Sequence, residues 1–146
     1  MTALQTFDGA LSDSAAASGH EWSDERFNVA GELAAKLSDE ALGLLRAIWP
    51  RRPLLWQTRC AEVLGSARLD EAIELLMDMV SRAKPEVALA ALESLREFDL
   101  RRFTPEQTKC ILAALGTALE RPVAPLHRVV LEAFLATLHS TGAAAA

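Results

Sequence analysis

A short phrase of sequence occurs twice in this chain, at a spacing that suits one repeating structural unit. Residues 39–45 read DEALGLL and residues 70–76 read DEAIELL, so the two copies begin 31 residues apart. The same shift, without a gap, places Glu62 on Glu93. A period of about 20 to 50 residues is typical of stacked repeat proteins. This repeat constrains the fold more strongly than any other feature of the sequence.

Helical periodicity runs through the chain from about residue 23 to residue 139. Apolar side chains recur at intervals of three and four residues, and the spacing leaves no room for a sheet. Proline and capping residues mark boundaries: Pro50 closes one helix, Pro85 opens another, and Thr104 caps the next. The predicted helices cover 23–37 with Ser23 as its cap, 38–49, 54–67, 70–82, 85–98, a helix after Thr104, and a last helix beyond Pro125 through Leu138.

The two ends of the chain differ from this central region in composition. Residues 1–22 are rich in Ser, Ala, Gly and Asp and hold few large apolar side chains. Burial of so few apolar groups does not offset the entropy lost when a segment becomes ordered. We therefore predict a flexible N-terminal segment over 1–22 with at most one loose helix, a helical domain over 23–139, and a flexible tail over 140–146.

The repeating unit is a helix pair, which cannot cover its own apolar face, so neighbouring copies must stack and share one core. The segment from Asp70 to Phe98, DEAIELLMDMVSRAKPEVALAALESLREF, resembles the short bacterial HEAT-like repeat of phycobilisome-lyase-type proteins. Residues 56–76 fit the same pattern, and a third copy follows if Glu132 is equivalent to Glu93. The resemblance implies an all-α fold, a right-handed α-solenoid of about three HEAT-like helix pairs. The alternative is a tetratricopeptide array, whose longer period does not fit.

Composition argues against several classes of function. The chain has 15 Lys and Arg against 20 Asp and Glu, and its net charge of -5 disfavours nucleic acid as a partner. Cys60 and Cys110 are isolated and lack the spacing of a zinc site or a disulfide framework, which favours free thiols in a cytoplasmic protein. The N-terminus lacks a secretory signal, and no apolar run approaches the roughly 18 residues of a membrane helix.

Catalytic and cofactor-binding motifs are missing from the sequence. There is no glycine-rich phosphate loop, nucleophile elbow or metal-binding helix motif. His20, His127 and His139 are too scattered to form a ligand set, and His127 is interpreted as a surface residue. We therefore expect a protein that is not an enzyme and that uses no metal or cofactor.

The resemblance also implies which surface meets a partner. In HEAT-like stacks the second helix of each pair lines the concave side, so its outward positions are the candidate binding residues. Glu62, Glu93 and Glu132 take equivalent places and should form an acidic stripe with steps of roughly 10 Å. The alternative is that these carboxylates are ordinary solvated residues, each paired with a neighbouring arginine. The candidate positions are Thr58, Arg59, Glu62, Ser66, Leu89, Glu93, Glu97, Arg128 and Glu132.

The segment WPRRPLLW is a second candidate surface. It places Trp49, Arg51, Arg52 and Trp56 around one predicted turn, a composition common at binding hot spots. We favour the alternative, a structural role in which the two tryptophans pack across the turn and the arginines stay in solvent. A second arginine pair, in LRRF at residues 100–103, is expected at the opposite edge, which weakens a DNA-binding interpretation.

These observations predict a protein-protein interaction module that holds a partner with a basic surface. An adaptor, a secretion chaperone or an immunity protein that mimics the charge of nucleic acid would fit. The resemblance alone implies an alternative, an accessory subunit of a chromophore lyase, and a nucleic-acid-binding HEAT-like protein is the third hypothesis. The last helix has a broad apolar surface that includes Val130 and Phe134, and we expect self-association or partner contact there.

Overall fold

Eight α-helices make up most of the chain that the computed structural model describes, which is residues 2–18 and 24–145 with side chains for 2–12 and 24–140. Within these residues there is no β-strand, so the all-α prediction is confirmed. Short 3-10 turns lie at Trp49–Arg51, Leu64–Ser66 and Leu100–Arg102. The helices are α1 (Ala3–Ser18), α2 (Asp24–Ala35), α3 (Asp39–Ile48), α4 (Leu54–Val63), α5 (Asp70–Arg82), α6 (Pro85–Leu95), α7 (Pro105–Leu119) and α8 (Pro125–Ala145).

Local chemistry sets several of the helix boundaries. Ser38 caps α3, because its side chain accepts a hydrogen bond from the amide of Ala41 at 3.1 Å. Thr104 and Gln107 form a capping box at the start of α7, in which each side chain accepts from the other residue's amide. A proline is the first residue of α6, α7 and α8, where its missing amide hydrogen has no cost. The predicted cap Ser23 lies outside the described residues.

The helices from α3 onward pack in two rows. In one row α3 contacts α5 and α5 contacts α7, and in the other α4 contacts α6 and α6 contacts α8. The rows meet within the pairs α5–α6 and α7–α8, so α6 has neighbours on several sides. Side chains from all these helices enter one apolar core. Large fully buried apolar side chains in this core are Phe7, Leu11, Leu42, Leu45, Trp56, Leu64, Ile73, Leu75, Leu76, Met79 and Leu92.

Small residues allow α4 and α6 to approach each other closely. Ser94 of α6 is buried, and its hydroxyl donates to the carbonyl of Ala61, with the carbonyl of Glu62 at 3.2 Å. A Cβ atom on Gly65, which follows α4, would lie 3.2 Å from the Ser94 carbonyl oxygen and 3.1 Å from Cγ of Glu97. A Cβ atom at position 65 would therefore contact α6 more closely than ordinary van der Waals packing allows.

Residues 3–18 of the stretch predicted to be flexible form the packed helix α1, and residues 1 and 19–22 of that stretch lie outside the described residues. α1 contacts both α2 and α4, and its Phe7 and Leu11 are 0% exposed. Leu4, Phe7 and Leu11 recur at three and four residues, so one side of α1 is apolar although the whole segment is poor in large apolar residues. The last helix also runs further than predicted, since α8 continues to Ala145.

Replacement of Phe7 tests whether α1 belongs to the folded core. We expect Phe7→Ala to lower the free energy of unfolding by about 3–5 kcal/mol, because a fully buried ring is lost and a cavity remains. Phe27→Ala is the matched control: this ring is 39% exposed, and we expect a loss of about 1 kcal/mol or less. Urea denaturation measures both values, and equal small losses would contradict the packing of α1.

Two glycines provide a test of the contact between α4 and α6. Gly65→Ala should lower the free energy of unfolding by about 1–3 kcal/mol, because the added methyl group meets the backbone of α6. Gly116→Ala on α7 adds the same group in open space, and the better helix propensity of alanine should raise stability by about 0.5–1 kcal/mol. Changes of opposite sign in the free energy of unfolding, measured by thermal or urea denaturation, would support the close approach of α4 and α6. No change in stability for Gly65→Ala would refute it.

Candidate partner-binding surface

A groove along α4 and α6 brings together five of the predicted partner-binding residues. Its volume is about 550 Å³, and the first turn of α8 closes one side. Glu62 and Glu93, which the repeat makes equivalent, both lie in its wall. The predicted residues in the wall are Thr58, Glu62, Leu89, Glu93 and Glu97, and the further ones are Phe27, Glu86, Ala90, Ser94, Arg96 and His127.

The groove carries more negative than positive charge. Four of the described glutamates line it, one on α4 and three on or just after α6. Arg96 lies 4.0 Å from Glu97, and both side chains are about half exposed, so this ion pair is weak. Glu62 interacts electrostatically with Arg59, which lies behind the groove wall. The prediction that each carboxylate is paired with a neighbouring arginine thus describes part of the groove, while an excess of negative charge remains.

Helical spacing explains why the α6 side of the groove could be predicted. Glu86, Leu89, Glu93 and Glu97 follow one another at intervals of three or four residues, and Ala90 lies next to Leu89 on the same face. Leu89, Glu93 and Glu97 were predicted. The same periodicity could have identified Glu86 and Ala90.

His127 is the groove residue that the sequence interpretation treated as an ordinary surface residue. Its Nδ1 forms a hydrogen bond with Oε1 of Glu93, and this contact is an ion pair when the imidazole is protonated. The predicted register placed Glu132 beside Glu93. In the structure the first turn of α8, which holds His127, contacts Glu93 on α6, and Glu132 is not among the residues that line the groove.

Arg128 and Glu132 take part in local contacts on α8 and lie outside the groove. The Arg128 guanidinium donates to the carbonyls of Leu119 at 3.0 Å and Arg121 at 3.4 Å, at the C-terminal end of α7. A positive charge is favourable there because it offsets the negative end of the helix dipole. Its Nη1 also lies 3.4 Å from Glu132 Oε1. These residues therefore join α7 to α8, and the acidic stripe does not extend to Glu132.

Arg59 and Ser66 are covered by the N-terminal helices, which corrects their assignment to an open surface. Arg59 is 1% exposed, and its Nη1 donates to the carbonyl oxygen of Leu11 in α1 at 3.5 Å. Burial lowers the pKa of Arg59 from its ordinary value, a shift that the charge of Glu62 opposes. Ser66 is half-buried against α2, where a Cβ atom on Gly31 would lie 3.2 Å from its Oγ. Without α1 and α2 both positions would face outward.

The two tryptophans of WPRRPLLW are buried at 2% exposure, so they are not available to a partner. The indole nitrogen of Trp56 donates to Oδ1 of Asp8 at 3.0 Å, and Arg52 binds Oδ2 of the same carboxylate at 3.1 Å. The Arg52 guanidinium also lies 5.5 Å from the centroid of the Trp56 ring. This tryptophan, aspartate and arginine together attach α1 to the start of α4.

A second cluster of the same composition attaches the end of α3 to α5. The indole nitrogen of Trp49 donates to Oδ2 of Asp78 at 2.9 Å, and Arg82 pairs with that oxygen at 2.9 Å. The Arg82 guanidinium lies 5.5 Å from the Trp49 ring. The tryptophans therefore have a structural role, as the sequence favoured. The prediction had them pack against each other across the turn, whereas each indole forms a hydrogen bond with a different helix.

The remaining arginines of the two turns differ in exposure and partners. Arg51 is exposed, as predicted. In LRRF, Arg101 pairs with Asp99 at 2.8 Å, and hydrogen bonds from its side chain and amide lower the pKa of Asp99 to about 2. Arg102 pairs with Asp70 at 2.7 Å. Both arginines of this turn are thus matched by carboxylates and add little to a basic surface.

The apolar surface predicted on α8 is exposed only in part. Phe134 is buried, and Val130 is half-buried against the same chain. Val129, which belongs to the predicted surface, is 66% exposed, and Leu126, about one turn earlier, is 77% exposed. Self-association through α8 stays a prediction, with Leu126 and Val129 as its exposed contact positions.

Among the residues that the structure describes, no group of three or more His, Cys, Asp or Glu side chains could hold a metal ion. Cys60 is buried and Cys110 is exposed, both as free thiols, and burial raises the pKa of Cys60. None of the helices described combines the length and apolar character that crossing a membrane requires.

Comparison with known proteins gives no assignment. No protein family, no curated protein and no solved structure matches the chain.

A double-mutant cycle tests the attachment of α1 to α4. Asp8→Ala and Trp56→Phe should each lower the free energy of unfolding, with a coupling energy of about 0.5–3 kcal/mol because they share a hydrogen bond. The control cycle pairs Asp8→Ala with Trp49→Phe, since Trp49 bonds to Asp78 instead. Its coupling should be about zero. Equal coupling in both cycles, measured by urea denaturation, would count against a specific bond.

Proposed function

We propose that this protein is a non-enzymatic interaction module that holds a basic segment of another protein in the groove along α4 and α6. The excess of carboxylates over cationic groups in that groove is the observation that carries the proposal. An adaptor, a chaperone or an immunity-type binder would use such a groove. We also propose that the protein acts in the cytoplasm, where its two free thiols would stay reduced.

The arrangement of helix pairs supports a HEAT-like, right-handed solenoid as the finer description of the fold. The repeated phrase opens both α3 and α5, and three of its four shared apolar positions are buried in both copies. The fourth differs, because Leu44 is 52% exposed and its equivalent Leu75 is buried. α3 lies beside α5 and α4 beside α6, the order of contacts expected when like pairs stack. In such a stack α4, α6 and α8 would form the concave side that holds the groove. The buried equivalent residues are Ala41, Leu42 and Leu45 in α3 and Ala72, Ile73 and Leu76 in α5.

Electrostatics favour lysine and arginine side chains as the groups that enter the groove. Glu93 and Glu97 lie one helical turn apart, so their like charges repel each other. Arg96 offsets part of this repulsion, and a basic partner would offset the rest. Exposed charges of this kind raise association rates and select among partners, and salt screens them. We therefore expect binding that weakens as the ionic strength rises.

Charge reversal on α6 tests the proposal. Glu93→Lys combined with Glu97→Lys should reduce the capture of basic partner proteins from a lysate by about tenfold, because like charges then oppose each other. The measurement is affinity capture followed by quantitative mass spectrometry at low and high salt. The difference between the two proteins should shrink at high salt.

The control for net charge is Glu40→Lys combined with Glu106→Lys. These exposed glutamates lie in the first turns of α3 and α7, in the row of helices away from the groove. This control should capture partners as the unchanged protein does. If both double variants lose partners equally, net charge and not the groove governs binding; if neither does, the proposed function is wrong.

A further inference from the structure

An apolar cleft lies beside the acidic groove, on the other side of α6. It is a cavity of about 530 Å³ bounded by α5, α6, α7 and the connection before α8. Its lining is mostly apolar and half-buried, with few polar groups. Those that do border it include Glu86, Thr117 and Arg121. The principal apolar lining residues are Val80, Leu89, Leu92, Ala114, Ala118 and Val123.

The cleft and the groove are adjacent. Glu86 and Leu89 border both cavities, so a bound chain that crosses α6 at these residues would contact both. The polar groups along this path differ in sign. Four glutamates line the groove, and Arg121 lies at the cleft. The described residues form no ion pair with Arg121.

We propose that this surface is the docking site for an amphipathic helical segment of a partner protein. Its apolar face fills the cleft, and lysine or arginine side chains at one end of the segment meet Glu86, Glu93 and Glu97. This inference rests on the proposed function and adds the chemical class of the partner. Binding of an amphipathic helix in an apolar groove is a common mode of peptide recognition.

Charge complementarity selects this occupant over others. A second copy of this chain carries a net charge of -5 and would bring further carboxylates to the groove. Phosphate groups of a nucleic acid would meet the same repulsion. A segment with an apolar face and a basic end satisfies both cavities, since the cleft provides burial and the groove sets the direction in which the helix lies.

The first experiment uses a synthetic helical peptide of about 18 residues, roughly five turns, labelled with a fluorophore. Leucines recur at three and four residues along one face, and lysines occupy one end. Two comparison peptides share its length: one has the same composition in scrambled order, and the other has glutamate in place of lysine. Fluorescence anisotropy with the full-length protein should show about tenfold weaker binding for each comparison peptide. Equal binding of the scrambled peptide would overturn the proposal.

The second experiment fills the cleft. Ala114→Phe places a ring in the cavity without removal of a core side chain, and should weaken binding of the amphipathic peptide by about tenfold. Ala113→Phe is the matched control, because Ala113 is the exposed neighbour on the same helix. It should leave affinity unchanged. If Ala114→Phe does not fold cooperatively, Ala118→Phe, on the next turn of α7, serves the same purpose.

The outcomes separate this inference from the proposed function. Loss of peptide binding in the cleft-filled protein, with normal binding by Ala113→Phe, supports the docking site. Unchanged peptide binding by the cleft-filled protein overturns the docking site, even if charge reversal at Glu93 and Glu97 still abolishes partner capture, in which case the proposed function stands alone. If duplex DNA binds at low salt and displaces the peptide, the assignment of a protein segment as occupant is overturned.

Discussion

The close contact of α4 with α6 determines where the glutamates of the groove lie relative to one another. Ser94 bonds to the backbone of α4, and Gly65 leaves room for that bond. Because the two helices are held at this separation, Glu62 and Glu93 share one wall of the groove. The other helices pack around this pair, with α1 and α2 at one end and α7 and α8 at the other. An acidic surface thus depends on a contact that involves no charged side chain.

The repeat and the helical periodicity were sufficient to predict the helices from α3 to α6 and the acidic face of α6. Such features are local, since they depend on spacing within one helix or on one internal shift. The failures concern contacts between distant segments. Three apolar residues in α1 were too few to alter the composition of residues 1–22, yet they suffice for one buried helix side. The exposure of Arg59 then depended on that helix, and no pattern within α4 contains this information.

The position of α8 could not be predicted for a related reason. Pro122 lies in the connection between α7 and α8, and Pro125 is the first residue of α8. Their effect on the direction of the chain cannot be read from a repeat spacing. The alignment of Glu132 with Glu93 assumed that α8 extends the repeat after a simple insertion. In the structure the first turn of α8 meets α6, and the imidazole of His127 is the group that contacts Glu93. A periodic pattern locates a helix face well, but it does not locate the end of a helix relative to its neighbour.

The tryptophan clusters show why composition alone overstates a binding hot spot. Trp and Arg are enriched at interfaces because they combine apolar area with hydrogen-bond donors, and the same properties serve a fold when a carboxylate comes from elsewhere. Asp8 and Asp78 lie 48 and 29 residues from the tryptophans that they bind. Their partnership is therefore invisible within the turn itself. The partnership becomes evident only from the arrangement of the helices in the fold.

The two cysteines of this chain differ in a way that has a practical use. Thiol reagents attack the thiolate, so Cys60, buried and with a raised pKa, should stay unmodified while the protein is folded. Cys110 is exposed on α7, the helix that forms one side of the apolar cleft. A maleimide dye would thus attach at one native position, and its emission could report on occupancy of the cleft without any engineered residue.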